Sequence, residues 1–236
     1  MEQIQKITAC LDSFPQLEGK KIGLFYSGGL DSQTVAAALL KKGYDITLIT
    51  IDNGASVNEK IIETAVYYLS KLNYSGKIKE HVMLSSFGLF QALAIRQTAN
   101  DIKNFGIDYT CLGCKLSMLA VSIVYARENN IETLLDGFVR AQEFYPEQTN
   151  AYIEFIDLMC KENGIDHHSP IYTLDDKETV KSLAVMLGVP PRSLDSSCLF
   201  EERPIPVDEK KIEAYLQSKK RFIEDYIEMN QLIIKE

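Results

Sequence analysis

The segment Ser27-Gly28-Gly29-Leu30-Asp31-Ser32 concentrates residue types that can do phosphate chemistry. Paired glycines let a backbone turn sharply and approach a ligand with no side chain in the way. A helix starting there offers unpaired N–H groups and a positive dipole end to phosphate oxygens. Ser27 and Ser32 add hydroxyl donors. Asp31 is the odd member: a carboxylate repels phosphates unless a cation lies between, so it implies Mg²⁺. The motif is neither G-x-x-x-x-G-K-[ST] nor G-x-G-x-x-G. A glycine turn with an Asp/Ser helix start also serves purely structural ends. Six suitable positions between a strand and a helix favour the phosphate reading.

Sulfur is the second chemistry. The chain has five cysteines, at 10, 111, 114, 160 and 198. Cys111-Leu112-Gly113-Cys114 opens a predicted helix, which aims two sulfurs at one point and favours thiolates through the helix dipole. Cys198 follows the last helix of the body and can return to the same face. Three thiolates suit a [4Fe–4S] cluster with one open iron. They suit zinc if His81, His167 or His168 adds a fourth ligand. They also suit redox chemistry in which one cysteine carries a persulfide and another resolves it. Ordinary buried thiols are the plain alternative. Cys10 and Cys160 sit at helical spacing among apolar neighbours and read as core. His167 and His168 read as hydrogen-bonded structural histidines ahead of a buried strand.

These residues need a scaffold, and the sequence supplies an alternation. Strands are predicted at 21–26, 46–51, 79–84 and 132–136. Helices are predicted at 31–42, 57–72, 87–104, 115–129, 147–163 and 175–187. This pattern is α/β: a doubly wound parallel sheet with helices on both faces. Ligands bind such sheets at the carboxyl ends of the strands. The loops after Tyr26, Ile51 and Leu135 therefore matter most. They hold the phosphate segment, Asp52-Asn53-Gly54 and Asp136-Gly137-Phe138. Residues 190–206 contain four prolines and read as irregular, and a last helix at 208–234 follows. Its stripe of Ile212, Tyr215, Leu216, Phe222, Ile223, Tyr226, Ile227, Ile233 and Ile234 fits packing on its own subunit or a homodimer face equally well. The division expected is a body at 1–190 and an appendage at 191–236.

The phosphate segment resembles the SGGxDS signature of the PP-loop ATP pyrophosphatases, to about residue 200. That superfamily includes tRNA thiolation enzymes, nickel-pincer sulfur transferases, 7-cyano-7-deazaguanine synthase and several synthetases. The resemblance implies a Rossmann-like fold of the PP-loop type, cleavage of ATP between the α and β phosphates, and adenylation of a substrate. It implies pyrophosphate and Mg²⁺ on Ser27, Gly28, Gly29, Asp31 and Ser32, adenosine near Asp52, and the α-phosphate near Asp136 and Gly137, with Arg140 close by. Ser169-Pro170-Ile171, Lys177-Glu178 and Leu187-Gly188-Val189-Pro190 resemble the closing segment of the thiolation branch. Cys111, Cys114 and Cys198 resemble the cysteines of cluster-dependent thiolases, and Cys198-Leu199 resembles a Cys-Leu pair of the nickel-pincer enzymes. The arginine-rich helix of tRNA thiolases is Lys115-Leu116-Ser117-Met118-Leu119-Ala120 here, and the multi-cysteine zinc tail of the deazaguanine synthases is missing.

The composition is that of a globular chain of 236 residues, 46% hydrophobic and 25% charged. Its net charge of −8 gives no global basic field for nucleic acid. No apolar run approaches the roughly 20 residues of a membrane span, and the first residues lack a signal-peptide core, so a cytoplasmic protein is expected. The function expected is an ATP-dependent sulfur transferase, with Asp31, Cys111, Cys114 and Cys198 as catalytic residues. Its acceptor is a tRNA base, a nucleobase or a small cofactor precursor, served by a separate sulfur donor. The alternative is a synthetase or ligase using ammonia or an amine.

Overall fold

The structure is a computed structural model and describes residues 2–200, 205 and 207–232. The chain opens with α1 (Glu2–Asp12), β1 (Ile22–Phe25), α2 (Leu30–Lys41), β2 (Ile46–Asp52), the short β3 (Ser56–Val57) and α3 (Lys60–Ser70). It continues with β4 (Ile78–Ser85), α4 (Phe87–Leu93), α5 (Thr98–Phe105), α6 (Thr110–Glu128), β5 (Thr133–Leu135) and α7 (Asn150–Glu162). It closes with β6 (Asp166–His168), α8 (Lys177–Met186), β7 (Ser197–Cys198) and α9 (Glu209–Leu232).

Five strands form one parallel sheet in the order β4-β2-β1-β5-β6. Strands β1 and β2 are buried on both faces over most of their length, as helices above and below require. On one face Val35, Leu39, Ile62, Leu69, Val180 and Leu183 pack together; on the other Leu116, Leu119, Tyr152, Phe155, Tyr215 and Ile223 do. The order reverses between β1 and β5, so the loops after these strands open a crevice at the switch point.

Three expectations change. The helix predicted over 87–104 is broken at Ala94, where a 3₁₀ turn separates α4 from α5. Ala94 packs so close to Gly113 that a Cβ on that glycine would stand 2.7 Å from the alanine Cβ, a tertiary contact that periodicity does not see. His167 and His168 form β6 rather than precede it. The apolar stripe of α9 is spent within the subunit: Ile212, Tyr215, Leu216, Ile223 and Ile227 are buried against the α6 and α7 side of the sheet, while Phe222 stays exposed. It therefore gives no argument for a dimer face. Ile233 and Ile234 lie outside the described residues. Helix α6 is long and apolar enough to cross a membrane by composition, but most of it is buried inside this fold.

Candidate active site

The crevice is a cavity of about 510 Å³ lined by the phosphate loop, the ends of β1 and β2, the start of α6, the turn after β5, α8 and residues 191–200. Gly28 has φ +77, and a Cβ there would stand 2.6 Å from the Leu194 carbonyl oxygen, so only glycine fits. The Leu194 amide donates to Gly28 O at 3.0 Å. Gly29, the residue before α2, is extended and has no side-chain cap, so the first turn of α2 keeps amides for a ligand. Ser27 Oγ accepts from the Gly29 amide at 3.1 Å and lies 3.3 Å from Ser32 Oγ, which donates to Gly29 O at 3.0 Å. Gln33 Nε2 braces the loop from behind by donating to Gly28 O at 2.6 Å.

Asp31 lines this cavity and accepts from Gln142 Nε2 at 2.8 Å. Burial pushes its pKa up to about 6, with Gln142 and Lys177 pulling it down and Asp195 pushing it up. A carboxylate made costly by burial and by a second carboxylate is one that a divalent cation relieves. Mg²⁺ asks for one or two carboxylates plus phosphate oxygens, so the residues present fit it.

Cys111, Cys114 and Cys198 all line the same cavity as the loop. Cys10 and Cys160 are buried elsewhere, in the apolar clusters on either side of the sheet. Cys198 is not in a free loop: β7 pairs antiparallel with β3, Ser56 opposite Cys198. Helix α6 starts at Thr110, so both C-x-x-C sulfurs lie within its first turns. The dipole does not win at Cys114: burial raises its thiol pKa, partly offset by a hydrogen bond from Asn53 Nδ2 at 3.0 Å. Among the described residues no three His, Cys, Asp or Glu side chains converge closely enough to hold one metal ion. As arranged here, the cavity cysteines share one wall but do not form a single-ion site such as zinc requires. None of the three histidines stands ready as a fourth zinc ligand. His81 bonds Thr50 Oγ1, His167 bonds two aspartates, and His168 sits on the edge strand β6.

Other expected residues are rearranged. Asp52 is not on the cavity wall; its carboxylate accepts from the Gly54 amide at 2.7 Å in a turn, and Asn53 faces the cavity instead. Asp136 lines the cavity but is 1% exposed, and its carboxylate accepts from Phe138 N, Ser169 Oγ and His167. Gly137 is the closer neighbour of the loop: a Cβ there would stand 2.7 Å from Ser32 N. Arg140 stacks over Tyr172 and lines a different, shallower cavity; Gln142 takes the place beside Asp31. The residues that periodicity missed are Arg192, Ser193 and Asp195, which fold back onto the loop, with Ser193 Oγ accepting from the Leu30 amide at 3.3 Å. Their signal was a polar run straight after Pro190-Pro191 with no helical period.

A family model described as "Queuosine biosynthesis protein QueC" matches residues 21–209. The chain is 26% identical to a 7-cyano-7-deazaguanine synthase of Coxiella burnetii (strain RSA 331 / Henzerling II), over 76% of this chain and 83% of that protein. It is 25% identical to a probable tRNA sulfurtransferase of Thermococcus kodakarensis, over 81% of this chain but only 44% of that protein, so it spans less than half of that relative. Among solved structures it resembles the U34-tRNA thiolase NcsA of Methanococcus maripaludis with its [4Fe–4S] cluster, at TM-score 0.54 and 14% identity, covering 100% of this chain and 79% of that one. It also resembles an NMN synthetase of Francisella tularensis, at TM-score 0.53 and 16% identity, covering 96% and 92%. These two likenesses show the fold. The family model spans the loop, the switch-point turn and the cavity cysteines together, and the chain belongs to the QueC family of PP-loop ATP pyrophosphatases, which are ATP-dependent enzymes.

Proposed function

We propose that this chain adenylates an oxygen of its acceptor and replaces that oxygen with sulfur carried on the cavity cysteines. The observation that carries the reading is the shared cavity: three of five cysteines face the phosphate loop, and the other two do not. The acceptor oxygen attacks the α-phosphorus of ATP, and pyrophosphate leaves into the loop. The α2 amides, Ser27 and Ser32 hold that pyrophosphate, Asp31 holds Mg²⁺, and Lys177 and Arg192 add positive charge at the rim. The cation supplies charge neutralisation between carboxylate and phosphates.

Sulfur transfer follows on cysteine thiols. A persulfide on one cavity cysteine, loaded by an outside sulfane-sulfur donor, attacks the adenylated carbon through its terminal sulfur. The C–O bond breaks and AMP leaves with the oxygen. A neighbouring thiolate attacks the first cysteine's Sγ, the S–S bond breaks, and the acceptor leaves with the sulfur. The cysteine disulfide left behind is reduced by an external dithiol. In this sequence of steps the cavity thiols themselves carry the sulfur. The relative's name brings in a second reading, in which ammonia attacks the same adenylate; the 7-cyano-7-deazaguanine synthase likeness supports it.

The test uses the full chain with Mg-ATP and three acceptor pools: nucleobases, heteroaromatic carboxylic acids and unmodified bulk tRNA. Each is offered glutathione persulfide or ammonium, and pyrophosphate release and product mass are followed. Acceptor-dependent pyrophosphate release with a gain of sulfur supports the proposal. A gain of nitrogen with persulfide ignored overturns it in favour of the second reading. Iron with labile sulfide bound to Cys111, Cys114 and Cys198 overturns the persulfide step.

A further inference from the structure

Beneath the switch point one imidazole lies between two carboxylates. His167 Nε2 is 2.9 Å from Asp136 Oδ2, and His167 Nδ1 is 2.6 Å from Asp157 Oδ1. The His167 side chain is fully buried, Asp136 almost so, and Asp157 about half exposed. An ionised carboxylate only accepts, and a neutral imidazole has one N–H, so both contacts are satisfied by the imidazolium. Burial works against the charged ring, but the two aspartates outweigh it and raise its pKa to about 9.

The chain of contacts continues to the phosphate loop. Asp136 Oδ1 accepts from the Phe138 amide at 2.8 Å, and Oδ2 accepts from Ser169 Oγ at 2.8 Å. Those bonds fix the turn over residues 136–138. Gly137, in that turn, lies against the start of α2, where a Cβ would stand 2.7 Å from Ser32 N and 2.8 Å from the Asp31 carbonyl carbon. Four links therefore join a half-exposed aspartate on α7 to the backbone that faces phosphate.

We propose that His167 is a positioning residue for the nucleotide: bridged between Asp136 and Asp157, it holds the 136–138 turn against the phosphate loop and couples ATP affinity to its own charge. The proposal rests on ATP binding at the loop and is the same for a sulfur or an amine nucleophile. Around the bridge Cys160, Tyr152 and His168 stay neutral in the relevant range, while Asp166 and Lys20 keep their charges across it. Burial pushes the Cys160 thiol and the Tyr152 hydroxyl of α7 well up, and burial together with His167 itself lowers His168. Glu147, ahead of α7, acts on Tyr152; Asp166 and Lys20 act on His168.

ATP binding to the full chain is measured by calorimetry with Mg²⁺ between pH 6.5 and 10, for wild type, His167→Gln and Asp157→Asn. Wild-type affinity holds at neutral pH and falls about tenfold as pH passes about 9. Asp157→Asn moves that midpoint down by about one unit. His167→Gln binds about tenfold more weakly at pH 7 and loses the step. A purely structural bridge would lower the melting temperature of Asp157→Asn and leave its midpoint in place, which overturns the proposal. So does wild-type affinity in His167→Gln. Hydrogen exchange of residues 28–33 without nucleotide separates the two levels. Faster exchange in His167→Gln supports the bridge, and unchanged protection overturns it. Wild-type protein that binds no ATP overturns the nucleotide reading while leaving the exchange result to decide the bridge.

Discussion

The side-chain amide of Asn53 donates to the sulfur of Cys114 across 3.0 Å, joining the end of β2 to the first turns of α6. The same side chain accepts from the Ala55 amide at 2.8 Å, so its orientation is fixed from both ends. A donor on sulfur favours the thiolate and works against the burial that raises this thiol.

Asn53→Ala is therefore expected to push the Cys114 thiol further up. Its alkylation by iodoacetamide at pH 8 should slow several-fold, and stability should fall by about 1–2 kcal/mol because the Ala55 amide loses its partner. Mass spectrometry of the labelled peptide reads the first effect and urea unfolding the second. Unchanged labelling would remove Asn53 from any part in thiol reactivity.

Serine replacements divide the five cysteines. Two of the three variants Cys111→Ser, Cys114→Ser and Cys198→Ser, those of the persulfide carrier and the resolving thiol, should each lose sulfur transfer by about 10³-fold or more while still binding ATP. Cys10→Ser and Cys160→Ser should keep the activity of whatever protein folds, since both sulfurs are buried away from the cavity. Product mass and nucleotide binding on the same preparations check this.

Asp31 joins activity and stability with opposite signs. Asp31→Asn should lower pyrophosphate release by about 10²–10³-fold through lost Mg²⁺. The folded carboxylate has its pKa raised from 3.8 to about 6. A raised value means the folded state holds the proton more tightly, so Asp31 stabilises at low pH and that contribution is lost as pH rises from about 4 to 6. In the metal-free chain at pH 8 the neutral asparagine should therefore raise the melting temperature by about 3–6 °C, and at pH 4 the gain should vanish.

Gly137→Ala tests the turn against the loop directly. A methyl there meets backbone atoms of Asp31 and Ser32 below 3 Å, so α2 or the turn must move. ATP affinity should fall at least about tenfold, with about 1–3 kcal/mol of stability. Calorimetry and thermal unfolding check both.

Helix α9 behaves as core. Ile223→Ala should cost about 2–5 kcal/mol by opening a cavity between α9 and its neighbours. Phe222→Lys, on the exposed side, should stay within about 0.5 kcal/mol. Equal effects at the two positions would mean the stripe faces another molecule.

Much of this site was legible because its signals are local. The phosphate loop shows glycines and hydroxyls in one short run, and C-x-x-C places two sulfurs on one helix face whatever the tertiary fold. The grouping of Cys198 with them followed from its position after the body, although its strand pairing did not. What stayed hidden depends on long-range contacts. The fate of Asp136 is decided by His167 and Ser169, far along the chain, and the choice of Asn53 over Asp52 turns on which side of a strand end faces α6. Ser193 and Asp195 look like loop polarity until Leu194 bonds Gly28. The break at Ala94 falls where that residue packs against Gly113 of another helix.

The ladder between β3 and β7 is only two residue pairs long, yet it joins the second loop of the sheet to residues close to the last helix. Such a contact cannot form until the strands between are in place, because closing so long a loop gains nothing before the sheet exists to receive it. Gly28 with Leu194 obeys the same order. The part of the cavity wall that Cys198 contributes therefore depends on contacts between distant parts of the chain, whereas Cys111 and Cys114 are placed by a single helix.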